Sequence, residues 1–179
     1  MCTWAQLSSF PSFGWAMTGS PMDAAQWLAS FRITHENYKR GILNEGDVRK
    51  YMGMRDELAR SIMQSQGIAI PEGVPPRRAF KVAYVYQIEI AGVSKTTTRE
   101  ISCLEFTALV SGTFKLGERV SFSLMLSRSQ EPLAGISNVK TAVKEKAGAT
   151  KLTCEFDGLG EERLSRLETA LFDAALSRF

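Results

Sequence analysis

A short stretch containing Pro71, Gly73, Pro75 and Pro76 divides this chain into two parts with different hydrophobic periods. Proline fixes φ, lacks an N–H donor and disfavours helix in the residue before it, so no regular element runs through the stretch. Before it, apolar residues recur at helical spacing; after it, they alternate.

In the first part, Ala24, Trp27, Leu28 and Phe31 fall on one helical face that His35 and Tyr38 continue, predicting a helix that ends near Gly41. Asn44 with Asp47 three residues later forms a capping-box variant. It opens a second helix with Val48, Met52, Leu58, Ile62 and Met63 on one stripe, stopping at Gly67. The connection Gly41-Ile42-Leu43 is too short for anything but an antiparallel hairpin. Two helices cannot cover each other's apolar faces completely, so the hairpin is expected to dock on the rest of the chain or on a second copy.

After the prolines, Phe80, Val82, Tyr84, Tyr86, Ile88 and Ile90 alternate with more polar neighbours, predicting one long strand over 80–90 turned by Ala91, Gly92, Val93 and Ser94. Strand patterns recur at 96–102, 106–110, 119–126, 133–145 and 150–156, with glycine or proline between them. Short strands at this spacing form a barrel or sandwich. The chain closes with Leu164, Leu167, Leu171, Phe172, Ala175 and Leu176 at helical spacing behind the acidic pair Glu161 and Glu162, which suits a helix N-terminus. Such a helix can cover an open end of the barrel. The fold class is therefore mainly β with accessory α: a six-stranded antiparallel barrel with a C-terminal helix, preceded by a helical hairpin. The expected divisions are a disordered leader or misassigned start at 1–21, the hairpin at 22–70, a linker at 71–76 and the barrel domain at 77–179.

Composition narrows the function classes. With 179 residues, 44% of them hydrophobic, the chain can bury a real core, and a net charge of +3 lacks the concentrated basicity of a nucleic-acid binder. Lys140, Lys144 and Lys146 share one strand face near Lys151, but no aromatic residue interleaves with them to stack bases. Cys2, Cys103 and Cys154 are odd in number and unpaired by any CxxC motif, which fits a reducing cytoplasm. Pro11, Gly14 and Gly19 interrupt the N-terminal stretch, which has no basic start, so neither signal peptide nor membrane insertion is expected. The single histidine, His35, shares a helix face with Trp27 and Phe31, so a packed or half-exposed helix histidine is expected there and not a metal cluster or a catalytic triad. Ser137-Asn138-Val139-Lys140 spells SxxK, but within a strand and without companion motifs. No catalytic or metal-binding constellation is expected.

At the barrel's start stands Arg77-Arg78-Ala79-Phe80-Lys81, and at the end of the second strand Glu100-Ile101-Ser102-Cys103-Leu104-Glu105. With the terminal Cys154-Glu155-Phe156-Asp157-Gly158-Leu159 strand running into the Arg163–Glu168 helix, this arrangement resembles a PilZ domain over about 75–179. The helices around 51–66 look like those of divergent myxobacterial PilZ-like paralogues. The resemblance implies a barrel that binds cyclic di-GMP, with paired arginines clamping phosphate and guanine edges, an Asp or Asn on a guanine, and a glycine admitting the backbone. It implies roles in motility, pili or surface polysaccharide control. Arg77 and Ser102 match the pattern. Lys81 replaces the second arginine, Glu100 the aspartate and Glu105 the glycine.

A carboxylate at that glycine repels the ligand by roughly 1–4 kcal/mol at contact. A side chain at a left-handed position costs about 1–2 kcal/mol more. Affinity should therefore fall on the order of a hundredfold, with Arg78 or Arg99 substituting in part. The expectation is a regulatory adaptor without cofactor, acting on an unidentified protein partner or as a homodimer through the hairpin, with cyclic di-GMP bound weakly or not at all. The alternative is a working cyclic di-GMP receptor that uses Arg77, Arg78, Lys81, Glu100 and Ser102.

Overall fold

A computed structural model describes residues 23–90, 95–127, 129–145 and 148–179. The expected leader at 1–21, the turn from Ala91 to Ser94, and Lys146 lie outside the described residues. The described residues fall into two compact units divided between Met52 and Gly53, inside one helix.

The first unit holds helix α1 (Ala24–Lys39) and the opening turns of α2 (Glu45–Ser65). Asn44 Oδ1 accepts from the Asp47 backbone N–H at 2.9 Å, so the predicted N-cap forms, while the return contact runs between side chains, Asn44 Nδ2 donating to Asp47 Oδ2 at 2.6 Å. Tyr51 of α2 meets Phe31, His35 and Tyr38 of α1, with ring centroids 5.8, 5.9 and 4.8 Å apart. His35 is buried there and its Nδ1 is hydrogen-bonded to the Tyr51 hydroxyl. The histidine is part of a packed aromatic core.

In the second unit, α2 ends in a Schellman motif. Ile68 N–H donates to Met63 O at 2.9 Å and Gly67 N–H to Gln64 O at 3.1 Å, with Gly67 at φ +66°. A single turn, α3 (Pro76–Ala79), carries proline at its first position, where a missing N–H costs nothing.

The strands are β1 (Gln87–Ile90), β2 (Thr96–Ile101), β3 (Glu105–Ser111), β4 (Arg119–Met125), β5 (Leu133–Lys144) and β6 (Ala149–Asp157), followed by α4 (Glu161–Leu176). They close an antiparallel barrel in the order β1-β2-β3-β6-β5-β4. Its interior contains Ile88, Ile90, Phe106, Val120, Phe122, Leu124, Leu133 and Leu152, all buried. Phe106, Phe122 and Phe156 form a ring triangle with centroids 5.0–5.8 Å apart. Leu167, Leu171 and Phe172 bury the inner stripe of α4, with Phe172 4.8 Å from the Phe80 ring.

Two strand expectations need correction. The segment 80–90 keeps its alternation at Phe80, Val82, Tyr86, Ile88 and Ile90, which are buried, but ladder pairing covers only Gln87–Ile90. Upstream there is one bridge, Val82 to Ile101, so five steps on this segment face four on β2 and the excess bows outward. Thr98 fills the gap: its Oγ1 donates to Tyr84 O at 2.7 Å and accepts from Tyr86 N–H at 3.0 Å. Tyr84 is consequently exposed instead of facing inward.

The lysines do not share one face either. Val139 pairs Cys154 and Thr141 pairs Thr153, leaving Lys140 as the extra residue of a β-bulge. Buried positions on β5 are odd-numbered before the bulge, at Leu133, Ser137 and Val139; after it the even-numbered Ala142 faces buried Leu152. Lys140 and Lys144 are thereby out of phase.

Candidate functional site

Arginines 77 and 78 are not on a free arm. Both belong to α3, which is tied to the barrel by Cys103 N–H donating to Arg78 O at 3.2 Å. Arg77 bonds Asp56 twice, through its backbone N–H to Oδ1 at 3.1 Å and through Nη1 to Oδ2 at 2.7 Å. Its Nε lies 3.5 Å from Glu168 Oε1. Arg78 pairs Glu161 through Nη2 and reaches Glu168 Oε2 from Nε at 3.4 Å. Burial opposes the charge on Arg78, but hydrogen bonding and attraction from Glu161, then Glu168, outweigh it and raise its pKa.

Glu168 is the centre of this arrangement. Its side chain is 4% exposed, and besides Arg77 and Arg78 it receives Nη1 of Arg55 at 2.7 Å. Arg55, itself 1% exposed, also donates to Thr169 Oγ1 at 3.0 Å and stands 5.0 Å from the Phe172 ring centroid. Three guanidiniums thus converge on one buried carboxylate, and Asp56 and Glu161 balance the remaining charge. A buried ion needs such pairing, because its desolvation would otherwise cost several kcal/mol.

The other residues singled out by sequence form a second group. Glu105 takes Lys81 Nζ on Oε1 at 2.5 Å and Lys140 Nζ on Oε2 at 3.3 Å. The β5 bulge is what places Lys140 there. Burial alone would raise the Glu105 pKa, but the hydrogen bonds and charges of Lys81, then Lys140, hold it below the ordinary carboxylate value. Glu105 begins β3, paired with Glu155, so its backbone is that of a strand and the strain expected for a left-handed position does not arise. Nor is its charge open, being shared between two ammonium groups.

Ser102 is buried and serves the β2–β3 turn. Its Oγ accepts from the N–H groups of Leu104 and Glu105, each at 3.1 Å, while its own N–H donates to Glu105 O at 2.9 Å. Glu100 stands apart. A bulge at Arg99, between the pairs Thr98–Ala108 and Glu100–Thr107, leaves both Arg99 and Glu100 exposed. The structure therefore brings Arg77 and Arg78 together around Glu168, joins Lys81 to Glu105 beside Ser102, and turns Glu100 outward.

The other reactive groups singled out by sequence are engaged within the fold. Cys103 and Cys154 are buried, and burial raises both thiols, Cys154 to about 11 although the neighbouring Ser137 hydroxyl acts to lower it. Ser137 is itself buried and donates to Val120 O at 3.3 Å, whereas Lys140 points outward to Glu105. Among the described residues no group of three His, Cys, Asp or Glu is placed to hold a metal, and no helix is long and apolar enough to cross a membrane.

Arg55 and Glu168 were not among the sequence candidates. Their signal was nevertheless present: Arg55 continues the stripe of Tyr51 and Leu58 on α2, and Glu168 continues that of Leu164 and Leu171 on α4. Each places a charge in an apolar phase, and the two signs are opposite.

No family model matches the sequence, and no curated protein matches it significantly. Solved structures do. The inhibitor of motility MotI/DgrA of Bacillus subtilis matches with a TM-score of 0.50 and 15% identity over 55% of this chain and 50% of its own. The PilZ domain of Escherichia coli YcgR with c-di-GMP gives 0.43 and 12% over 55% of this chain and 91% of that domain. A tetrameric PilZ-domain protein of Xanthomonas campestris, self-assembled through a helical bundle, gives 0.42 and 16% over 90% and 82%. The chain thus covers half the length of MotI/DgrA. The closed six-stranded antiparallel barrel with its C-terminal helix is the PilZ-like architecture expected from the sequence. At such identities the likeness concerns the fold and not the site.

Proposed function

We propose that this chain is a non-enzymatic, cytoplasmic regulatory adaptor of the PilZ-like kind, acting by protein contacts in bacterial motility or surface-structure control, with weak or no cyclic di-GMP binding. One observation carries the reading: Arg77 and Arg78, which a PilZ-type site would direct at the ligand, are held by Asp56, Glu161 and Glu168. A ligand phosphate would have to break these charge-assisted pairs and leave buried Glu168 with fewer cations, which opposes binding. This replaces the strain and repulsion at Glu105 as the reason for weak binding.

Calorimetric titration of the whole chain with cyclic di-GMP tests the reading. It predicts no saturable heat in the sub-micromolar range; a sub-micromolar dissociation constant would overturn it in favour of a messenger receptor.

The N-terminal helices are the proposed surface for a protein partner or a second copy. Ile33 of α1 and Ile42 in the connection to α2 are 65% and 64% exposed and offer apolar side chains for a partner to cover. Sedimentation of wild type against an Ile33→Asp/Ile42→Asp variant tests self-association. A concentration-dependent dimer should be lost in the variant, and monomeric behaviour of the wild type at every concentration would remove the homodimer from the proposal.

A further inference from the structure

The stretch that leads into β1 leaves part of its backbone unpaired. Tyr84 O and Tyr86 N–H both meet Thr98 Oγ1, and Tyr86 O accepts from Thr98 N–H at 2.9 Å, so these two residues direct their backbone groups toward β2. Alternation turns the N–H and C=O groups of Ala83 and Val85 the other way, toward β4. The β1–β4 ladder stops at Gln87 and Met125, however, and among the described residues the backbone groups of Ala83 and Val85 find no hydrogen-bond partner. Where the two strands part, a cleft of about 190 Å³ opens, lined by residues 84–87 on one side and 125–127 on the other, none of them charged. Val85 is 69% exposed at its rim, and the half-open Tyr84 ring lies 4.7 Å from that of Tyr86.

Such an edge takes an extended segment whose main chain completes the ladder while alternate side chains fill the cleft. We propose that this cleft is a strand-acceptor site and that its occupant is residues 4–10 of the same chain. Residues 1–22, outside the described ones, carry no charged side chain, which matches an uncharged lining. A charged strand would lose hydration there without gaining a counter-ion. The run before Pro11 is free of proline, so each of its N–H groups can pair, and Pro11 ends it. In an extended strand Trp4 and Phe10 share one face, an aromatic complement to Tyr84. Residues 11–22, which lead from Phe10 to Asp23, reach roughly 40 Å when extended, comparable with the width of a domain of this size. The tether makes capture an intramolecular step, so a modest cleft suffices.

Amide exchange in the full-length protein, followed by NMR, tests the assignment. The N–H groups of Ala83 and Val85 should exchange at least about tenfold more slowly than unstructured amides, equally at low and high protein concentration. In Trp4→Ser/Leu7→Ser/Phe10→Ser, shown to be folded by cooperative thermal unfolding, that protection should vanish. Free exchange at both amides of the wild type overturns the proposal, as does protection that survives the triple variant. Protection that rises with protein concentration overturns it too, because the strand then comes from a second copy. Should the variant not fold, the wild-type spectrum decides: nuclear Overhauser contacts from the Tyr84 ring to Trp4 or Phe10 are expected, and their absence overturns the assignment. None of these outcomes depends on cyclic di-GMP, so the adaptor reading stands or falls separately.

Discussion

At the scale of single residues, the behaviour of this protein is set by two carboxylates in cationic surroundings. Arg55→Ala should destabilise the fold by about 3–5 kcal/mol, because it strips the closest cation from a buried anion. Arg55→Met/Glu168→Met should fall within about 1 kcal/mol of wild type or above it, since burying two apolar chains avoids the desolvation of both ions. Urea unfolding of the two variants checks this, and equal losses in both would contradict it. Glu105 adds a pH signature. Its pKa is lower folded than its ordinary 4.5, so the stability it contributes is present above 4.5 and disappears as pH falls through the folded value. The difference in urea midpoint between wild type and Glu105→Gln should accordingly shrink from about pH 5 downward. A constant difference across that range would deny the lysine pairs their role. Much of this was present in the sequence only as residue types. Arg77, Lys81 and Glu105 stand out from their spacing, but whether an arginine faces a ligand or a carboxylate more than a hundred positions away is a tertiary fact, as Arg55 and Glu168 demonstrate.

Among the elements, legibility follows how local the determining interaction is. Asn44 and Asp47 bond each other across three residues, and the helix they open begins where the sequence places it. Gly67 likewise ends α2 through contacts within five residues. Nothing lies within 4 Å of a side chain added at Gly67, so Gly67→Ala should cost only the left-handed backbone strain of about 1–2 kcal/mol, and Gly67→Asn less. Thermal unfolding ranks the pair, and an alanine variant as stable as wild type would mean that the motif does not terminate the helix. The strands after the prolines were readable because alternation survives in each. The bulges were not, since an extra residue at Arg99 or Lys140 is defined by a partner strand that the local pattern does not contain. Of the two, Lys140 is where the shared face expected for the lysines breaks. They also decide the site, as one turns Glu100 away and the other brings Lys140 to Glu105.

For the whole molecule, the change to alternation after the prolines predicted the barrel and the return to helical spacing predicted its terminal helix, and both are present. What the period could not convey is that α2 crosses between the compact units and, from Gly53 on, belongs with the barrel through Arg55. The proposed adaptor role rests on arginines that are engaged from within. The most direct measurement is of those arginines themselves, by side-chain NMR of the intact chain. The Nε–H resonances of Arg55, Arg77 and Arg78 should be protected from solvent exchange and remain in place as cyclic di-GMP is added. Loss of protection at Arg77 and Arg78, with shifts that saturate on titration, would contradict the account.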